Sequence, residues 1–111
     1  MQFSSAIARL YLSLPRSRTE VEALGRKLLQ SSTSIVAHVR EASYSRSDAE
    51  LCSKLEGAIQ EADESMLCLE MLQDDFAINE LSLAQLQEEV NEIIASFASM
   101  VTRIKMRTLK F

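Results

Sequence analysis

The chain has 111 residues, a formal charge of -4, 47% hydrophobic and 25% charged residues, the proportions of one globular domain rather than a disordered or membrane-spanning chain. Two Gly, one Pro and 5% aromatic residues leave too little turn and strand material for a β-sandwich or barrel, so the composition is that of an all-α protein. The opening stretch MQFSSAIARLYLSL lacks a basic start and carries Arg9 among its apolar residues, which argues against a signal peptide or membrane span and for a cytoplasmic protein.

Hydrophobic periodicity predicts four helices in one domain spanning 1–111, at about 2–14, 19–43, 48–73 and 83–108. In the first, Phe3, Ile7, Leu10 and Leu14 recur at helical spacing and Pro15 closes the run. Overlapping capping boxes, Ser17-x-x-Glu20 and Thr19-x-x-Glu22, then announce the second, because a hydroxyl and a carboxylate three residues on can each satisfy an orphan N–H. This helix carries two apolar seams: Val21, Leu24, Leu28, Ser31, Ile35, His38, Ala42, and beside it Gly25, Leu29, Ser32, Val36, Val39.

Ser47-x-x-Glu50 caps the third helix, whose seam runs Leu51, Leu55, Ala58, Ala62, Ser65, Leu69, Leu72, with a second line through Cys52, Ile59 and Met66. Cys52 and Cys68 share this helix, about 24 Å apart at ~1.5 Å rise per residue, which excludes a bridge between them. They read as reduced structural thiols. In the loop DDFAINEL, Phe76 and Ile78 are expected to fold back over the bundle end, and Ser82-x-x-Gln85 to cap the fourth helix, with its seam Leu83, Leu86, Val90, Ile93, Phe97, Met100, Ile104.

Short connections between amphipathic helices favour antiparallel neighbours, hence an antiparallel up-down-up-down four-helix bundle. The second stripes exceed what one small bundle needs inside and predict a homo-oligomer, with Ser32, Val36, His38, Val39, Cys52, Ile59 and Met66 at its interface. His38, a polar residue on a seam, is suited to setting register across a contact. Ser31, Ser32 and Ser34 are small enough for close helix approach, with hydroxyls that can bond back to carbonyls a turn earlier.

Charge is segregated. Residues 1–47 carry seven basic and three acidic groups, 48–92 one basic and thirteen acidic, and 93–111 four basic and none acidic. An antiparallel bundle brings the C-terminal ends of helices two and four together, gathering Arg40, Arg46, Arg103, Lys105, Arg107 and Lys110 into a basic end able to contact phosphates. Of aromatic residues only Tyr44 and Phe111 lie nearby, so contact would be with the backbone rather than by base stacking. Helix dipoles alone also favour cations at those positions.

Nothing in the chain spells out catalysis. Glu61, Asp63 and Glu64 are unaccompanied by a Glu-x-x-His motif, so neither a metal centre nor any other cofactor is expected. His38 stands four residues from Ser34 without an acid or oxyanion donors marked in the sequence, so no enzyme is expected.

The run LGRKLLQSSTSIVAHVREASYSR, followed by AELCSKLEGAIQEADESM, resembles the bacterial four-helix-bundle proteins encoded in 23S rRNA intervening sequences and their relatives, the accessory proteins of diversity-generating retroelements. Leu24, Leu28, Ser34, Ile35, Ala37 and Glu41 match the family's second helix, and Leu51, Leu55, Ala58 and Glu64 echo its third, within a similarity covering about Leu10 to Ile104. The chain departs from the pattern in having no tryptophan in helix one, Leu29 and Gln30 in place of an Arg pair, and His38, Val39, Arg40, Glu41, Ala42 where the family has Asn-Ile-Ala-Glu-Gly. The resemblance implies a homopentameric barrel without catalysis that acts with RNA or DNA, and in the retroelement relatives with a reverse transcriptase. The alternative is a protein–protein adaptor without nucleic-acid affinity, which the acidic middle of the chain favours.

Overall fold

A computed structural model describes residues 2–15, 17–78 and 81–109. Four helices account for almost all of it: α1 (Gln2–Ser13), α2 (Thr19–Ala42), α3 (Asp48–Asp74) and α4 (Leu81–Thr108). Each packs on its chain neighbour and α1 also meets α4, while α1 with α3 and α2 with α4 stand diagonally opposite. This is the expected four-helix bundle, 57 × 21 × 20 Å in extent.

The four apolar positions of α1, Phe3, Ile7, Leu10 and Leu14, are all buried, as are Val21, Leu28 and Ile35 of α2, Ala58, Ala62, Leu69 and Leu72 of α3, and Leu83, Leu86 and Val90 of α4. They form one continuous core. A smaller cluster, Ala42, Cys52, Leu55, Val101 and Ile104, fills the far end. Both cysteines are free and buried, and burial pushes the Cys68 thiol above its usual pKa.

Helix lengths make the two ends unlike. The 12 residues of α1 span about 18 Å, against about 36–42 Å for the others at ~1.5 Å per residue. Their register is fixed by close contact at the near end, where Gly25 of α2 lies against Tyr11 and Leu14, and Ala6, Arg9, Leu10 and Ser13 of α1 flank a cleft with Ser82, Gln85, Leu86 and Glu89 of α4. Among the described residues the near half is therefore built from four helices and the far half from three. This accounts for much of the second seam on α2: Gly25 and Ser32 are buried within the protomer, on the side that α1 covers.

Local signals succeeded unevenly. Ser47 caps α3 as expected, its hydroxyl accepting from the Glu50 N–H at 3.1 Å. The boxes ahead of α2 do not close. The N-cap is Arg18, between the hydroxyls of the two boxes, with extended backbone and no side-chain cap bond, because a guanidinium has no acceptor to offer a helix N–H. Glu22 is instead engaged by Tyr11 Oη, which donates to it at 3.2 Å, and by Arg26 Nε at 2.8 Å. Arg18 instead ties the start of α2 to the α3–α4 loop, donating from Nη1 to the Phe76 carbonyl at 2.9 Å with its guanidinium 5.6 Å from the ring centroid. Helix α4 begins at Leu81, so Ser82 lies inside its first turn rather than capping it.

The loop closes over the core as expected. Ile78 is buried and Phe76 packs against the same cluster. The Ile78 N–H reaches back to the Leu72 carbonyl at 2.9 Å across Ala77, which has φ 54°, a left-handed conformation that a non-glycine residue adopts at a steric cost.

Candidate functional site

At the far end the chain turns from α2 into α3 through Ser43–Ser47, and α4 ends beside them. Arg40 from the last turn of α2, Arg46 from the turn, and Arg103, Lys105 and Arg107 from α4 are all exposed there. The antiparallel topology thus gathers five of the six predicted cations; Lys110 lies outside the described residues, as does Phe111. Tyr44 is 82% exposed beside them.

The set divides in two. Arg107 donates from Nη2 to Asp48 Oδ1 at 2.8 Å and from Nε to Oδ2 at 3.4 Å. Lys105 Nζ lies 3.5 Å from Glu56 Oε2. Both partners sit on the first turns of α3, at the start of the acidic stretch that packs beside the basic end. Arg40, Arg46 and Arg103 make no ion pair among the described residues. Surface pairs of this kind are worth about 0–1 kcal/mol, so Lys105 and Arg107 are partly neutralised rather than locked.

The residues assigned to an oligomer interface separate by depth. Ser32 has no exposed surface and its hydroxyl donates to the Leu29 carbonyl at 3.0 Å; it is interior to the protomer, where close helix approach requires a small residue. Cys52 is likewise buried, in the far-end cluster. Val36, His38, Val39, Ile59 and Met66 keep part of their surface open. The ring of His38 lies on Gly57 of α3, and its Nδ1 is buried without a hydrogen-bond partner. His38 therefore sets the spacing of α2 and α3 inside one chain.

A second polar element was visible only as spacing in the sequence. Ser31 and Ser65, both buried, share a hydrogen bond at 2.7 Å across α2 and α3. Each also has a carbonyl within its own helix to donate to, Leu28 for Ser31 and Glu61 for Ser65. Above this pair an open cleft is lined by Arg26, Lys27, Gln30, Ser34, Glu61 and Glu64, with Lys27 paired to Glu64 at 3.2 Å. Its cations and carboxylates balance, so the cleft has no preference for ligands of one sign.

Among the described residues no group of three or more His, Cys, Asp or Glu side chains is placed to hold a metal ion, and no helix is long and apolar enough to cross a membrane. Among curated proteins no sequence matches the chain. A crystal structure of a protein of unknown function from the S23 ribosomal protein family of Bacteroides thetaiotaomicron has the same fold, with a TM-score of 0.80 at 29% identity over 90% of this chain and 92% of that one. The family model described as 23S rRNA-intervening sequence protein matches residues 1–99, which takes in α1 to α3 and most of α4. The chain belongs to the 23S rRNA-intervening sequence protein family.

Proposed function

We propose that the chain is a non-catalytic, homo-oligomeric scaffold of the cytoplasm that contacts the phosphate backbone of RNA or DNA, alone or with an enzyme acting on nucleic acid such as a reverse transcriptase. The observation that carries this is the exposed cationic end, where Arg40, Arg46 and Arg103 make no ion pair among the described residues and Arg46, on the α2–α3 turn, stands clear of the helix faces. Such groups bind phosphate oxygens by forked, charge-assisted hydrogen bonds and gain affinity by releasing counterions. Assembly multiplies the patch by the number of copies, five if the resemblance to retroelement accessory proteins extends to their pentamer. Family membership supports a setting beside ribosomal RNA.

Gel-shift titration with a structured RNA at two salt concentrations tests this. Binding should weaken with salt, and Arg46→Ala should lower affinity and reduce the magnitude of the log–log salt slope by roughly 1. No binding at low salt, or a slope indifferent to Arg46, overturns the nucleic-acid reading. The second reading, a protein–protein adaptor, is favoured by the ion pairs that engage Lys105 and Arg107 and by the unpaired acidic groups on α3 and α4. It predicts no RNA shift at any salt.

A further inference from the structure

We infer that the part of the α2–α4 groove beyond the reach of α1 seats a second copy of this chain, which inserts the acidic ridge of its α3 centred on Leu67. The inference rests on the self-assembly half of the proposed function and names the two surfaces that meet.

Helical register defines the groove. The side of α2 that faces α1 passes through Gly25 and Ser32, and one and two turns further on through Val36 and Val39. The side of α4 that faces α1 passes through Ser82, Leu86 and Glu89, then Ile93, Phe97 and Met100. These five apolar residues are each only partly buried, and Val39, Ile93 and Phe97 pack on the main core from outside. From Ile93 to Met100 they continue the seat of α1 past its first described residues over about 10 Å, or about 15 Å counted to Arg103 on the rim, at ~1.5 Å per residue. Arg40 stands on the α2 rim and Arg103 on the α4 rim, both exposed and without an ion pair among the described residues.

An apolar floor with a cationic rim fits an amphipathic helix face that is apolar at its crest and acidic at its edges. The chain offers one. Among the described residues the exposed large apolar side chains are Leu12, Tyr44, Leu67, Leu81, Met106 and Leu109. Leu12 has Arg9 a turn away, and Tyr44, Met106 and Leu109 sit at the basic end, so the rim repels them. Leu81 stands at the first position of α4, with no helix before it to fill the groove. Leu67, 53% exposed, lies mid-helix on a ridge with Asp63, Glu70 and Asp74, all exposed and unpaired among the described residues. From Asp63 to Asp74 the ridge runs about 16 Å, the length of the groove.

Groove and ridge are different surfaces of one molecule, so each copy donates one and accepts the other. Such a heterologous contact closes into a ring where its rotation permits and otherwise propagates. In the assembly Arg40 and Arg103 meet the neighbour's carboxylates, so Arg46, past the groove on the α2–α3 turn, is the guanidinium that each copy keeps for nucleic acid.

The test is light scattering after gel filtration of the full chain at tens of micromolar. Wild type should be multimeric. Arg40→Glu with Arg103→Glu, Asp63→Arg with Glu70→Arg, and Leu67→Glu, all at exposed positions, should each reduce the mass to that of a monomer with unchanged helical circular dichroism. Mixing the first two variants restores opposite charges at every contact where the two alternate and should raise the mass well above that of a monomer. A multimeric wild type whose variants stay multimeric, or a mixture that stays monomeric, overturns the groove–ridge contact and leaves self-assembly standing. A monomeric wild type overturns both.

Discussion

The imidazole of His38 lies across Gly57 so closely that a methyl group at 57 would stand 2.9 Å from Cε1 and 3.1 Å from Nδ1. Glycine inside a helix normally weakens it by about 1 kcal/mol relative to alanine. Here the missing side chain makes room for a ring from the neighbouring helix. Gly57→Ala should therefore lose its propensity gain to overpacking, which costs about 1–3 kcal/mol, and leave the protein about 1 kcal/mol less stable in urea denaturation. In a His38→Ala background the same substitution should stabilise by about 1 kcal/mol. Equal effects in the two backgrounds would show that ring and glycine are uncoupled.

Ala77 holds a left-handed backbone, φ 54°, to turn the chain so that Ile78 enters the core. For an L-residue with a Cβ this conformation is unfavourable by about 1–2 kcal/mol. Ala77→Gly removes the strain but gives the unfolded chain more freedom, an opposing effect of about 0.4–1 kcal/mol. The net gain should be about 0.5–1 kcal/mol, read as a raised denaturation midpoint with unchanged slope. A loss of stability would mean that the turn is not strained.

The hydroxyls of Ser31 and Ser65 meet in the core at 2.7 Å. Removing one leaves the other with the carbonyl of its own helix, so each single alanine variant should cost about 1 kcal/mol rather than the larger penalty of an orphaned polar group. The double variant should cost less than the sum of the two, because the second change removes no further bond between the helices. Strict additivity would argue against the bond.

Lys54 Nζ lies 2.7 Å from Glu41 Oε2, and its hydrogen bond and charge hold the Glu41 carboxyl below its usual pKa while raising that of Lys54. A depressed folded-state pKa means that the carboxylate's contribution is present above the unfolded-state value and is lost as pH falls through the folded one. NMR titration should show Glu41 ionising at lower pH than an isolated carboxyl, and Lys54→Met should return it toward the ordinary range. An unmoved titration would deny the pair in solution. Glu41 is exposed and Lys54 only partly covered, so the accompanying change in stability should be small.

Burial was legible along α1, where Phe3, Ile7, Leu10 and Leu14 lie inside, and at Leu83, Leu86, Val90 and Ile104 of α4, whereas Ile93, Phe97 and Met100 of the same seam keep part of their surface open. The capping boxes before α2 misled because the helix starts between their hydroxyls, on Arg18, whose guanidinium cannot accept from a helix N–H. Glu22 matches the motif, yet a tyrosine eleven residues earlier and an arginine one turn later engage it. The second seam of α2 was read as surplus for a partner chain. Nothing in the spacing of Gly25 and Ser32 says that α1 covers them, since that depends on where a short helix lies along a long one. The basic end was foreseeable from topology, whereas the engagement of Lys105 and Arg107 by the first turns of α3 depends on side-chain reach between helices over forty residues apart in sequence.

The brevity of α1 also gives the molecule two tempers. Near Leu28, Leu69 and Leu83, helices on every side must separate before an amide meets water, whereas past Thr33 on α2 and Ile93 on α4 the described residues of α1 no longer cover the core. Hydrogen exchange should therefore be graded along single unbroken helices, slow toward the α3–α4 loop and faster toward Tyr44, because local opening is easiest where fewest neighbours must move. The end that carries the unpaired arginines is thus also the end that can adjust its shape with least disturbance to the rest.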